Sequence, residues 1–257
     1  MNRLEGKVAI VTGAGQGLGL AVSRLFAEEG AKVVGTGRHV EKVERAFAAV
    51  LEEHPEFEMV AMQHEISKRD EWERVIEDTV ARFGKVDILV NNASVTSGKY
   101  LMDIDEDSFM NVMKINVVGE LFGIQTIAPY FEKNGGGSIV NVNSIGSMVS
   151  GDADGWDPAY SASKGAARSL TRHAAFQLSG KGIRVNSVFP GPIETPMLRE
   201  SLQNDPAIAA RVEANNPLPP HISTAEHIAQ GVLFLASDES ATMCGAEVVI
   251  DCGHVVI

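Results

Sequence analysis

Short apolar runs alternate with amphipathic stretches along the chain. Residues 7–11 have the pattern of a buried strand, and apolar side chains then recur at helical spacing from Leu18 to Phe26, before Gly30. The same alternation continues along the rest of the sequence, which predicts a Rossmann-like α/β fold, a doubly wound parallel β-sheet with helices on both faces. We expect residues 1–257 to form one domain.

The first predicted strand leads into a turn that is rich in glycine, Thr12-Gly13-Ala14-Gly15-Gln16-Gly17-Leu18-Gly19. Gly13 permits a tight turn, Gly17 lets the backbone approach a pyrophosphate, and Gly19 lets the helix pack closely on the strand. The N-terminus of the next helix offers free N–H groups and a positive dipole to phosphates. Because this turn lies between a predicted strand and a predicted helix, it indicates a dinucleotide site.

A second motif pairs a phenol with an ammonium group. Tyr160 and Lys164 are four residues apart in a stretch that is predicted to be helical from Pro158 to Gly180. That spacing places both side chains on one helix face, where the cation stabilises a phenolate and makes the phenol useful in proton transfer. A Tyr and a Lys four residues apart occur often by chance. A catalytic role for this pair is better supported because the same chain contains the dinucleotide turn.

These two motifs, in this order, resemble those of the short-chain dehydrogenase/reductase family, and the resemblance covers nearly the whole chain. It implies four catalytic residues, Asn116, Ser144, Tyr160 and Lys164. By this resemblance Tyr160 exchanges a proton with the substrate oxygen, Ser144 donates a hydrogen bond to that oxygen, and Lys164 assists Tyr160 and binds the nicotinamide ribose. Asn116 is expected to hold a water that connects Lys164 to solvent.

The resemblance also implies a set of contacts to a nicotinamide cofactor. These residues lie in the glycine turn, at the ends of strands and beyond the sixth strand: Gly13, Gln16, Gly17, Leu18, Gly19, Arg38, Glu65, Ile66, Asn91, Ala93, Tyr160, Lys164, Pro190, Gly191, Ile193 and Thr195. An acidic residue after the second strand would favour NAD, whereas here Gly37 is followed by Arg38, which can bind a 2′-phosphate. We expect NADP; NAD is the alternative if Arg38 is only a solvated loop charge.

Two segments are expected to border the substrate. The loop that joins Ser144 to Tyr160 adds Gly146 and Trp156 to these two catalytic residues. Trp156 could form an apolar wall for a bulky ketone, or it could be a surface anchor or a subunit contact. Residues 192–221 are expected to contain a substrate lid, with an ordinary surface excursion as the alternative.

Composition narrows the choice of partners. A formal net charge of −12 and a sequence pI near 5.0 disfavour binding to nucleic acids or anionic membranes. No apolar run approaches the roughly 18 residues of a membrane span, and no signal-peptide core precedes the first strand, so we expect a cytoplasmic protein. The acidic residues lack the spacing of metal ligands, and no metal is expected.

The sequence therefore predicts an NAD(P)(H)-dependent oxidoreductase that interconverts a secondary alcohol and a ketone. One alternative is a 3-oxoacyl thioester (acyl-carrier-protein) reductase, which the net charge of −12 disfavours because an acidic carrier protein docks on a basic surface. Another is a catalytically silent nicotinamide-binding scaffold or sensor. The family usually assembles through the helix that carries Tyr160, so a homotetramer or homodimer is expected.

Overall fold

The computed structural model describes residues 2–151, 153, 155–194, 204 and 206–256. Its strands are β1 (Val8–Thr12), β2 (Lys32–Gly37), β3 (Met59–Gln63), β4 (Ile88–Asn91), β5 (Gly137–Val142), β6 (Ile183–Pro190) and β7 (Glu247–Ile250). Its α-helices are α1 (Gly17–Glu28), α2 (Val40–Glu53), α3 (Arg69–Phe83), α4 (Glu106–Met113), α5 (Gly119–Lys133), α6 (Pro158–Leu178), α7 (Pro206–Asn215) and α8 (Ala225–Ala236).

The strands form one parallel sheet in the order β3-β2-β1-β4-β5-β6-β7. The predicted doubly wound sheet is thus confirmed, whereas one domain over residues 1–257 stays a prediction. The strand order reverses between β1 and β4, and in such sheets ligands bind beyond the carboxyl ends of the strands at that reversal. There the Thr12 hydroxyl accepts hydrogen bonds from the backbone N–H groups of Asn92 and Ala93, at 2.9 and 3.0 Å.

Two hydrophobic cores flank the sheet. On one face, Val22 and Phe26 of α1 and Leu233 of α8 pack over the central strands. On the other face, Trp72 of α3 and Phe131 of α5 are fully buried with residues of α6. Because strands in such a sheet are covered on both faces, they consist of nearly continuous apolar residues, as the sequence pattern indicated.

Two helices depart from the simple pattern. The helices α4 and α5 are joined by a π-helical turn, Lys114–Val118, so that Glu106 to Lys133 forms one interrupted helix. The helix predicted to close at Gly180 ends instead at Leu178 and is followed by a 3₁₀ turn, after which Gly182 takes a left-handed conformation with φ +73°. Both glycines suit a helix end, but Gly182 is the one that reverses the chain into β6.

The junction of β1 and α1 requires glycine at position 19. A Cβ atom added to Gly19 would lie 2.2 Å from the Gly13 carbonyl oxygen, well inside any allowed contact. We predict that Gly19→Ala lowers the free energy of unfolding by about 1–3 kcal/mol, the usual cost of overpacking. Chemical denaturation measures this loss.

The control for that experiment is Gly165→Ala, because an added Cβ at this helical glycine of α6 meets no atom within 4 Å. This variant should be as stable as the parent protein or up to about 1 kcal/mol more stable, since alanine favours helix more than glycine does. Equal stability of Gly19→Ala and the parent would contradict the close packing of α1 on β1.

Candidate active site

A cavity of about 460 Å³ opens at the carboxyl ends of β1, β2 and β4. Predicted cofactor residues that line it are Gly13, Gln16, Gly17, Leu18, Gly19, Arg38, Glu65, Ile66 and Ala93. Gly13 and Gly17 adopt left-handed φ angles of +69° and +53°, which glycine accepts without strain. No side chain caps the N-terminus of α1, and its first turn holds no acidic residue, so its N–H groups are available to an anion.

The rim of the cavity beyond β2 is basic. Arg38 lines it as the sequence predicted, together with His39 and Lys42, which sequence reasoning did not single out. The backbone of Lys42 lies against the glycine turn, since a Cβ added to Gly15 would be 3.4 Å from the Lys42 carbonyl carbon. The sequence did contain a signal, because Lys42 falls in the first turn of the helix that follows Arg38.

Residues after β3 form the far wall of the cavity. The Glu65 carboxylate accepts from the Ser67 hydroxyl at 3.0 Å, and the Ile66 carbonyl accepts from the Trp72 indole at 2.8 Å. His64, which the sequence reading passed over, is buried here beside Thr36, with its Nδ1 3.1 Å from the threonine hydroxyl. Burial, reinforced by the nearby Arg74 guanidinium, lowers the pKa of His64 to about 3, so the imidazole is uncharged at neutral pH.

The remaining predicted cofactor residues lie elsewhere. The Asn91 side chain donates across the sheet to Asn141 Oδ1 at 2.9 Å, and its own Oδ1 is buried without a hydrogen-bond partner among the described residues. Pro190 ends β6, and Ile193 forms a bridge with Ser223. A Cβ on Gly191 would meet the Asp251 backbone at 2.6 Å. Thr195 and much of the predicted lid, residues 195–203 and 205, lie outside the described residues.

The start of α6 is built to hold the Tyr160 backbone in place. Asp157 is the N-cap residue, and its Oδ1 accepts from the backbone N–H groups of Ala159 and Tyr160 at 3.0 and 3.1 Å. Pro158 occupies the first helical position, where its missing N–H costs nothing. The helix therefore begins where the sequence predicted, and Tyr160 and Lys164 share one of its faces.

Lys164 is anchored deep in the protein. It is 4% exposed, and its Nζ donates to the Val142 carbonyl at the end of β5 at 2.8 Å. The same Nζ lies 5.6 Å from the centroid of the Tyr160 ring. An ammonium group has three donors, so one holds the side chain to the sheet and two remain for other partners.

Ser144 stands directly beyond β5, as predicted. Its Oγ accepts from the Gly146 N–H at 3.0 Å, which leaves the hydroxyl proton free to be donated. The 3₁₀ turn of Ile145–Ser147 is tied to α6 by a hydrogen bond from the Ser161 hydroxyl to the Gly146 carbonyl. The end of β5 and the helix of Tyr160 therefore form one unit.

Asn116 joins that unit to the loop after β4. It is buried in the π-helical turn, where its Oδ1 accepts from the Val95 N–H at 2.8 Å and its Nδ2 donates to the Val95 carbonyl at 2.9 Å. Nδ2 also donates to the Ser163 hydroxyl at 3.0 Å. The structure thus brings three of the four predicted catalytic residues to one helix and strand end, and it connects Asn116 to them through Ser163.

Asp157 makes a further set of contacts that sequence reasoning missed. Besides capping α6, its carboxylate accepts from the Ser97 hydroxyl at 2.8 Å and from the N–H groups of Ser97 and Gly98. Burial opposes ionisation of this group, but the N–H of Tyr160 and the donors of Ser97 and Gly98 outweigh burial and hold the pKa of Asp157 below its usual value. An aspartate before proline signals a helix cap, but not these distant contacts.

The predicted substrate residue Trp156 lies at the surface. It is 61% exposed with φ +61°, and its N–H donates to the Gly151 carbonyl at 3.0 Å. Gly146, in contrast, is buried, and its carbonyl accepts from the Ser161 hydroxyl of α6. Within the described ranges there is no cluster of three or more His, Cys, Asp or Glu side chains that could hold a metal ion. The described helices include none that is long and apolar enough to cross a membrane.

Comparisons with known proteins find relatives that match nearly the whole chain. The family model described as enoyl-(acyl carrier protein) reductase matches residues 13–254. The NADP-dependent (R)-specific alcohol dehydrogenase of Lentilactobacillus kefiri is 36% identical, over 98% of each chain. The 3-beta-hydroxysteroid dehydrogenase of Comamonas testosteroni is 38% identical, over 97% of this chain and 96% of that one.

A third relative is the 3-oxoacyl-[acyl-carrier-protein] reductase of Thermotoga maritima, 35% identical over 99% of this chain and 100% of the relative. Among solved structures, one described as a short-chain dehydrogenase/reductase from Burkholderia xenovorans has a TM-score of 0.90 and 32% identity, and the match covers 99% of this chain and 98% of that chain.

The contacts of Asp157 make a testable contribution to stability. We predict that Asp157→Ala lowers the free energy of unfolding by about 2 kcal/mol at neutral pH, because it removes a helix cap and buried hydrogen bonds to a charged group. Since the pKa of Asp157 is lower in the folded protein than in the unfolded chain, its stabilisation is complete above the unfolded value, about pH 4, and is lost as the pH falls toward the folded value.

Denaturation of the parent and Asp157→Asn proteins at several pH values measures this dependence, and the difference between them should shrink below about pH 4. Asp105→Ala is the matched control for Asp157→Ala, because Asp105 also caps a helix, α4, but is exposed. The contacts of Asp157 with Ser97 and Gly98 add no stability if Asp157→Ala costs no more than Asp105→Ala.

Proposed function

This chain belongs to the short-chain dehydrogenase/reductase family, and from that premise we propose that it is an NADP-dependent enzyme that interconverts a secondary alcohol and a ketone. The observation that carries the proposal is the position of the Lys164 ammonium, 5.6 Å from the Tyr160 ring centroid, with Ser144 at the adjoining end of β5. An enzyme that interconverts an alcohol and a ketone needs these three groups close together.

The cavity suits a dinucleotide. Its floor is a glycine turn in which a Cβ on Gly19 would clash, and the uncapped N-terminus of α1 offers N–H groups to a pyrophosphate. The bound nicotinamide would supply or accept the hydride. Residues of this chain that would hold it are those of the glycine turn, Ala93 and Lys164.

The protein's own part in the reaction is proton transfer and orientation. In ketone reduction Tyr160 donates a proton to the substrate oxygen, and in alcohol oxidation it accepts that proton. The Ser144 hydroxyl donates to the same oxygen, where negative charge develops. Lys164 stabilises the Tyr160 phenolate by its charge. Because the Asn116 side chain already bonds Val95 and Ser163, the predicted water would bind its backbone carbonyl in the π-helical turn.

Three observations support NADP over NAD. Gly37 leaves no carboxylate to repel a 2′-phosphate, Arg38 lines the cavity, and Lys42 adds a second cation that the glycine turn lacks. One relative, the alcohol dehydrogenase of Lentilactobacillus kefiri, is NADP-dependent by name. We propose that the rim formed by Arg38, His39 and Lys42 binds the 2′-phosphate.

The substrate is proposed to be an apolar ketone or secondary alcohol. Asp157 accepts a hydrogen bond from Gly98, which holds the segment after Gly98 near Trp156, the neighbour of Asp157. In that segment Tyr100, Leu101 and Met102 are 62%, 72% and 91% exposed. Exposed apolar side chains gathered beside a catalytic helix favour an apolar ligand. Relatives named cyclopentanol dehydrogenase and 3-beta-hydroxysteroid dehydrogenase act on such compounds.

A 3-oxoacyl thioester reductase is the second candidate, because the relative from Thermotoga maritima has that activity by name. An acidic carrier protein needs a basic docking surface, and a net charge of −12 opposes it. A panel of ketones, secondary alcohols and a 3-oxoacyl thioester, assayed with NADPH and NADH, separates the two. No turnover of any of these compounds would favour the silent scaffold or sensor.

We also propose that the protein is a homotetramer. A groove of about 400 Å³ runs between α5 and α6 and is lined by Leu121, Ile124 and Leu170, among others. Phe176 on α6 is 86% exposed in the single chain, and an exposed aromatic side chain beside an apolar groove is typical of a subunit contact.

Tyr160→Phe tests the proposed proton donor. It should reduce kcat for ketone reduction by about a hundredfold or more, the usual contribution of a general acid, while NADPH binding stays within about twofold because the hydroxyl proton is not needed to hold the phosphates. Steady-state kinetics and fluorescence titration measure the two effects. Tyr130→Phe on α5 is the control and should match the parent, and undiminished activity of Tyr160→Phe would exclude the assigned role.

Arg38→Ala tests the choice of cofactor. Losing a charged hydrogen-bond donor costs about 1.5–3 kcal/mol, so Kd for NADPH should rise by about 10- to 100-fold, while Kd for NADH stays nearly unchanged. Lys42→Ala should act in the same direction. Arg45→Ala is the control, because Arg45 lies on α2 and donates to the Glu41 carbonyl. Equal losses for both cofactors would disprove a 2′-phosphate site at Arg38.

A further inference from the structure

A buried carboxyl group lies one helical turn from Asn116. Glu120 is near the start of α5 and is 7% exposed. Residues four apart share a helix face, and Asn116 uses that face to donate to Ser163, the neighbour of Lys164 on α6. Glu120 is therefore on the side of α5 that packs against the catalytic helix.

Glu120 differs from the partnered carboxylates of this fold. Asp157 accepts several hydrogen bonds and Glu29 is bound by Arg3, whereas Oε1 of Glu120 is buried without a hydrogen-bond partner among the described residues. An isolated carboxylate is costly to bury, so such a group keeps its proton. Burial raises the pKa of Glu120 to about 8, against the opposing effect of the Lys164 ammonium.

Of the charged groups on the elements packed around α5, the Lys164 ammonium acts electrostatically on Glu120. On α6, the Tyr160 ring centroid lies 5.6 Å from the Lys164 Nζ. The segment after β3 contacts Gly119, the neighbour of Glu120, through Ile66. His64 in the same segment is kept neutral by burial. Among the other charged side chains on these elements, Arg69 donates to Gln125, Arg168 pairs with Glu247, and Lys114 is exposed.

We propose, on the basis of the function proposed above, that Glu120 is a positioning residue. Its protonation state sets the net charge beside Lys164 and Tyr160. At neutral pH the carboxyl group is uncharged, and the ammonium acts undiminished on the Tyr160 phenol. At alkaline pH Glu120 loses its proton to solvent. The Lys164 ammonium then lies near two anions, the Glu120 carboxylate and the Tyr160 phenolate, and its stabilisation of the phenolate is weakened. Glu120 thereby limits the alkaline range in which Tyr160 accepts a proton from an alcohol.

The pH dependence of kcat/KM for alcohol oxidation tests this role in the parent protein and in Glu120→Gln. The two profiles should coincide below about pH 7, where Glu120 is uncharged, and diverge above about pH 8. The midpoint of the rising limb should fall at a pH lower by on the order of one unit in Glu120→Gln than in the parent. At alkaline pH kcat/KM of Glu120→Gln should then be several-fold higher than that of the parent. A purely structural role would change the rate at every pH.

Two further variants make the result decisive. Glu120→Leu, which is also uncharged, should shift the limb in the same direction as Glu120→Gln. Glu106→Gln is the matched control, because Glu106 is exposed in the first turn of α4, on the same interrupted helix, and it should follow the parent profile. Coincidence of Glu120→Gln with the parent, or an equal shift in Glu106→Gln, would overturn the proposal.

A second readout needs neither cofactor nor turnover. The infrared difference spectrum between the parent and Glu120→Gln should contain the carbonyl band of a protonated carboxyl group, which disappears with a midpoint near pH 8. In Lys164→Met, or in Lys164→Gln if the first variant does not fold, the midpoint should move to higher pH because the opposing cation is gone. An unchanged midpoint would overturn the coupling. If the parent turns over no ketone or alcohol, the proposed function fails, but this titration still decides the coupling.

Discussion

The burial of the Lys164 ammonium is the constraint on which the site depends. A charge this far from water must be held by hydrogen bonds, and Nζ donates to the Val142 carbonyl where β5 ends. This bond fixes α6 against the carboxyl edge of the sheet. Tyr160, one turn earlier, therefore lies near the carboxyl end of β5, two strands from β1, where the glycine turn opens its cavity.

Three polar contacts then hold α6 to separate parts of the chain. Asp157 binds the segment after β4, Ser161 binds the turn after β5, and Ser163 accepts from Asn116 in the π-helical turn. Each contact is buried or partly buried, and each comes from a residue close to Tyr160 or Lys164 in sequence. A geometry defined by several elements is stiffer than one defined by a single loop, and proton transfer requires that stiffness.

The sequence predicted what is local. Strands and helices follow from periodicity, the cofactor turn from its glycines, and the face shared by Tyr160 and Lys164 from a spacing of four. It did not predict contacts between distant segments: those of Asp157 with Ser97, the place of Lys42 at the cavity, or the burial of Glu120 near Lys164. Such features depend on how elements pack, and a charged residue on a helix resembles an exposed one until its neighbours are known.

The position of the substrate oxygen can be measured in a crystal structure of the protein with NADPH and an unreactive analogue of an accepted ketone. We expect this oxygen to lie within hydrogen-bond distance, about 3 Å, of both the Tyr160 hydroxyl and the Ser144 hydroxyl. We also expect the Lys164 ammonium to keep its bond to the Val142 carbonyl. A substrate oxygen held by other groups, with Tyr160 turned away from it, would exclude Tyr160 as the proton donor.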